Sequence, residues 1–82
     1  MIECSGHAGD KVACAMLTAL IIGLMKNLTE RLGFNPSYTL QDGYFRILTG
    51  DIYGDGKVLV DSFAYALRGL AESRPGNFYI ET

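Results

Sequence analysis

The sequence predicts an α+β domain, a two-layer sandwich with two helices packed on one face of a mixed sheet in the order βαββαβ. Three observations predict it. The uncharged run from Val12 to Met25 has helical length and spacing. Asp42-Gly43 stands between two strand-like runs, a strong hairpin signal. A second apolar stripe at helical spacing is followed by Pro75-Gly76 and a short alternating run.

Each element has its own reasons. Met1 to Ser5 reads as extended and ends at Gly6. Asp10 is a good N-cap for a helix from Lys11 to about Leu32. Gly33 stops it, and Asn35-Pro36 continues the break. Val12, Met16, Ala19, Leu20, Gly23, Leu24 and Leu28 repeat at helical spacing. The middle of this helix is apolar nearly all round, which predicts that it is largely buried.

Ser37 to Leu40 and Tyr44 to Thr49 are the hairpin strands. Gly50 to Gly56 reads as a loop, and Val58 to Ser73 as the second helix. Its stripe is Leu59, Phe63, Ala66, Leu67 and Leu70, with Asp61 and Arg68 off it. Asn77 to Thr82 closes the chain as a strand, with Phe78 and Ile80 on one face and Tyr79 and Glu81 on the other.

The 82 residues suit a single domain over 1–82. With 49% hydrophobic and 20% charged residues the chain should fold. Seven basic and nine acidic side chains give a net charge of −2. That balance argues against nucleic acid and against a polybasic membrane anchor. The run from Val12 to Met25 falls short of the about 20 residues that cross a bilayer. Glu3, His7 and Asp10 precede it with only Lys11 basic, unlike a signal peptide. The expectation is a cytoplasmic protein whose two cysteines are thiols, with no membrane contact and no cofactor.

The chemistry-bearing stretch is Gly6-His7-Ala8-Gly9-Asp10-Lys11-Val12-Ala13-Cys14. His7 falls where the first strand ends, and Cys14 at or just beyond the first turn of the first helix. Orphan N–H groups and the positive helix end favour a thiolate there. A histidine within reach would complete the thiolate–imidazolium pair of a cysteine hydrolase. Gly6, Ala8, Gly9, Ala13 and Ala15 leave room for a substrate backbone.

Other readings of the same residues stay open. On spacing alone, a buried structural cysteine beside a hydrogen-bonded or surface histidine is the commoner outcome. Cys4, His7, Cys14 and Asp10 are all zinc-compatible, but no second close pair follows them. Asp51, Asp55 and Gly56 imitate part of a calcium loop. Tyr53 and Ser62 stand where such a loop wants carboxylates, so a solvated turn is expected.

Gly6-His7-Ala8, then Asp10-x-Val12-x-Cys14-Ala15, then Thr18-Ala19-Leu20 resemble the ribosomal-processing cysteine protease family, Prp. The likeness continues through Asp42-Gly43-Tyr44, through Phe63 to Arg68-Gly69-Leu70, and into the short strand after Pro75. It implies a small homodimeric cysteine peptidase acting on a protein or peptide substrate. Members trim the N-terminal extension of a large-subunit ribosomal protein, and phage relatives cut capsid or scaffold proteins. Carried over, Cys14 is the nucleophile and His7 the general base, and Asp10 orients or tunes the dyad.

The sequence also departs from the family. The stretch between His7 and Cys14 is shorter, and less chain precedes Gly6. Lys11 occupies the family's acidic position, with Asp10 displaced by one residue, about 100° around a helix. A non-catalytic dimerisation or binding module on the same scaffold is the alternative expectation.

Overall fold

The computed structural model describes residues 1–6, 11–41, 43–73 and 78–81. In chain order these form β1 (Ile2–Gly6), α1 (Lys11–Lys26), a π-helical segment (Asn27–Arg31), β2 (Tyr38–Gln41), β3 (Tyr44–Ile47), α2 (Asp55–Ser73) and β4 (Phe78–Glu81). The architecture is α+β, with two helices over a four-stranded sheet.

The strand order is β2-β3-β1-β4, and every neighbouring pair is antiparallel. The expectation of a mixed sheet is therefore corrected. The helical crossover does bring β1 and β2 into the same direction. They are not neighbours, however, because β3 lies between them, and β1 in turn separates β3 from β4. This is the split βαβ arrangement.

Register builds the core. Ile2 faces Ile47, and Cys4 faces Phe45 on one side and Ile80 on the other. Alternation then places Ile2, Cys4, Phe45 and Ile47 on one face, where all are buried. Leu17, Ile21 and Leu24 of α1, Leu28 of the π segment, and Val60, Phe63, Leu67 and Leu70 of α2 join them in one cluster. Phe45 and Phe63 meet edge to face at 5.8 Å between centroids. The opposite sheet face carries Glu3, Tyr44, Arg46, Tyr79 and Glu81. The radius of gyration, 12.2 Å, matches the roughly 12 Å of a compact chain of this length.

The face that α1 buries differs from expectation. Ala13, Leu17, Ile21 and Leu24 point inward, while Val12, Met16 and Ile22 remain about half exposed. A helix apolar all round gives its period no polar face to point outward, so the sequence does not orient it. Its polar extension, Asn27–Arg31, continues as π-helix before Gly33, at φ 75°, turns the chain. Leu32 N–H bonds the Asn27 carbonyl and Phe34 N–H bonds the Leu28 carbonyl, closing this end. Lys11–Arg31 is thus a 21-residue helical run, long and apolar enough by length and composition to cross a membrane. Its inward stripe is instead packed on the sheet.

The second helix begins earlier than expected, at Asp55 rather than Val58. Gly54, at φ 60°, makes the turn into it. Gly56 lies buried within its first turn. The closing strand keeps the expected faces, with Phe78 and Ile80 turned to the helices and Tyr79 and Glu81 outward.

Candidate functional site

Two helices do not cover four strands. Helix α1 packs on β1 and α2 packs on β4, which among the described residues leaves β2 bare at the edge. All four β2 residues are exposed, although Tyr38 and Leu40 lie on the helix-side face with Ile47 and Phe45. Between α1 and the β2–β3 hairpin runs a groove of about 350 Å³. Helix α1 supplies Cys14, Leu17, Thr18, Ile21 and Ile22, and the hairpin supplies Leu40, Gln41, Gly43 and Tyr44.

Cys14 is the fourth residue of α1 and is half-buried at the wall of this groove. Helical Cα–Cβ bonds tilt toward the N-terminus, the end where backbone N–H groups lack helical acceptors. One turn on, the Thr18 hydroxyl donates to the Cys14 carbonyl at 2.8 Å. The other two expected site residues, His7 and Asp10, lie outside the described residues.

The second thiol is placed very differently. Cys4 is wholly inaccessible between Phe45 and Ile80, in the core. Burial, reinforced by the neighbouring Glu3 carboxylate, pushes its pKa up to about 11. A thiol held neutral in this way is a poor nucleophile and a poor metal ligand. Neither cysteine is in a disulfide. Among the described residues no three His, Cys, Asp or Glu side chains gather to hold a metal ion.

The Asp51–Gly56 segment forms a turn into α2. Ile52 N–H bonds the Thr49 carbonyl, Gly56 N–H bonds the Tyr53 carbonyl, and both aspartates are exposed. Ile52 plugs the core beneath it.

Sequence reasoning missed most of the groove wall. Ile22, Leu40 and Gln41 carry no motif, and their shared position follows from β2 being an edge strand. It also missed the open-face bond from the Tyr44 hydroxyl to the Glu3 carboxylate, 2.6 Å long. The hairpin signal located Tyr44, but its cross-strand neighbour on β1 depends on the sheet order. No family model, no curated protein and no solved structure matches this chain.

Proposed function

We propose that the chain is a cysteine endopeptidase resembling the Prp family. It would trim the N-terminal extension of a ribosomal protein or of a phage capsid or scaffold protein. The observation that carries the reading is the placement of Cys14, a half-buried thiol near the start of α1 at the wall of a groove.

In this mechanism the Cys14 sulfur attacks the scissile carbonyl. The C–N bond breaks to leave a thioester, and His7 passes a proton to the departing amine. Water then hydrolyses the thioester, returning the thiol and releasing the new carboxylate. Backbone N–H groups at the start of α1 are the candidates for holding the oxyanion. Asp10 orients or tunes the pair. The reading includes a homodimer in the cytoplasm.

The test is cleavage of precursor ribosomal-protein and capsid-protein N-terminal segments by the purified chain. Activity that disappears in Cys14→Ser and in His7→Ala, while Cys4→Ala retains it, supports the reading. Cleavage indifferent to Cys14 would sink it.

A second reading is a non-catalytic dimerisation or binding module. The exposed side of α1, with Val12 and Met16 in solvent, favours it. A folded, self-associating chain that cleaves none of these segments would select it.

A further inference from the structure

The edge strand beside Cys14 has its own chemistry. The Leu48 N–H bonds the Ser37 carbonyl at 2.9 Å. Continuing the register, Tyr38 with Ile47 and Leu40 with Phe45 are then the non-hydrogen-bonded pairs. Thr39 and Gln41 therefore direct their N–H and C=O groups to β3. Tyr38 and Leu40 direct theirs the other way, off the edge of the sheet, where β2 has no neighbouring strand among the described residues.

Exposed edges are ordinarily guarded by charge, proline or a bulge. Tyr38-Thr39-Leu40-Gln41 has no charge and no proline, and its register with β3 runs without a bulge. The other edge strand, β4, carries Glu81. Beside the unguarded edge, Leu40 and Ile22 are each about half exposed on the helix side. No Asp, Glu, Lys or Arg is among the described residues lining the groove.

We infer that β2 and this groove bind an extended, uncharged peptide segment as a fifth strand, with alternate apolar side chains seated against Leu40 and Ile22. The inference rests on the peptidase reading for its occupant, the substrate segment beside the scissile bond. Hydrogen-bond complementarity specifies the extended backbone. The largely apolar wall, without a charged side chain among the described residues, specifies the side chains. Added-strand recognition of this kind takes affinity from main-chain bonds and specificity from alternate side chains.

The experiment is an NMR titration of the ¹⁵N-labelled full chain carrying Cys14→Ser, so that docking is read without turnover. The probe is a pool of acetylated, amidated hexapeptides with Leu, Ile or Val at alternate positions and uncharged polar residues between. Expected are shifts and slowed exchange at the Tyr38 and Leu40 amides. A pool with Asp at the alternate positions should leave them unmoved.

Leu40→Pro removes one outward N–H without touching the ladder to β3. It should weaken binding about tenfold, the net worth of roughly one hydrogen bond, with the rest of the spectrum retained. Leu40→Ala keeps the donor and separates the side-chain part. Binding elsewhere, no binding, or equal binding of the Asp pool overturns the inference. So do concentration-dependent shifts at Tyr38 and Leu40 without peptide, which would mean a second copy pairs there. Cleavage by the unsubstituted chain without β2 shifts sinks the edge alone. Docking on β2 without any cleavage sinks the peptidase reading alone.

Discussion

Gly56 lies against Phe34 so closely that a Cβ built on it would stand 2.6 Å from the ring's Cε2 and 2.7 Å from Ile52 Cγ2. Phe34 is itself held edge to face against Tyr53, with 5.2 Å between centroids. The start of α2, the turn that follows the π segment and the loop before α2 thus meet at a glycine inside a helix. Two effects oppose each other in Gly56→Ala. Helix propensity favours alanine by about 1 kcal/mol, and overpacking costs about 1–3 kcal/mol. Both near contacts are with side chains that other packing holds, so overpacking should win. The expected outcome is a lower urea midpoint, by about 1 kcal/mol of stability, with partial recovery in Gly56→Ala/Phe34→Leu. A stabilised Gly56→Ala would mean that the ring moves freely.

Cys4 links stability to alkaline pH. Its thiol is raised from an ordinary 9.0 to about 11 in the folded chain. Below the unfolded value the thiol is neutral in both states, and its contribution is complete. As pH rises from 9.0 toward about 11, the unfolded chain loses its proton first and stability falls. Tyr44 and Tyr79 are raised too, so they add to the alkaline loss. Comparing urea midpoints of the unsubstituted chain and Cys4→Ala across this range isolates the Cys4 part, as a shallower slope in the variant. In native buffer, iodoacetamide should label Cys14 and leave Cys4 unmodified until denaturant is added. Equal labelling of both cysteines would contradict the burial of Cys4.

The open face of the sheet offers a spectroscopic check. The hydrogen bond from Tyr44 to Glu3 is the main reason its phenol titrates above the ordinary value. Tyr79 is raised chiefly by its own bond to Glu81. In Glu3→Gln the Tyr44 titration should move down toward the ordinary value, while that of Tyr79 stays nearly in place. NMR titration of the tyrosine ring signals reads the two separately. An unmoved Tyr44 would mean that the bond does not form in solution.

These residues also show where the sequence was sufficient. Asp42-Gly43, Gly33 and the stripe through Phe63, Leu67 and Leu70 are local signals. Each marks an element that the fold contains, to within a few residues. The face of α1 was not legible, because Val12 and Met16 are as apolar as Leu17 and Ile21, and only the sheet decides which stripe it buries. The antiparallel sheet was not legible because β3 separates β1 from β2, a choice made between distant segments. For the candidate site, local reasoning placed Cys14 near the start of a helix. It gave no reason to expect Leu40 and Gln41 across from it, since an edge strand is defined by the neighbour it lacks. His7 and Asp10 lie outside the described residues, so their relation to Cys14 stays with the resemblance.

The outer side of α1 decides the proposed dimer. Between α1 and α2, on the side away from the sheet, Met16, Ala19, Leu20, Ala66 and Gly69 line an apolar furrow. Met16 is 46% exposed there, and a Cβ built on Gly69 would meet nothing within 4 Å. A second copy seated on this side would remove Met16 from water. A glutamate at that position would then be buried without a partner, at several kcal/mol, whereas on a free monomer surface it should cost at most about 0.5 kcal/mol. Sedimentation velocity across the micromolar range is the measurement. The unsubstituted chain should sediment as a dimer and Met16→Glu as a folded monomer with a near-native circular dichroism spectrum. A monomeric unsubstituted chain would remove the dimer from the reading. A dimer that survives Met16→Glu would move the interface to another surface, of which the exposed edge of β2 is the first to examine.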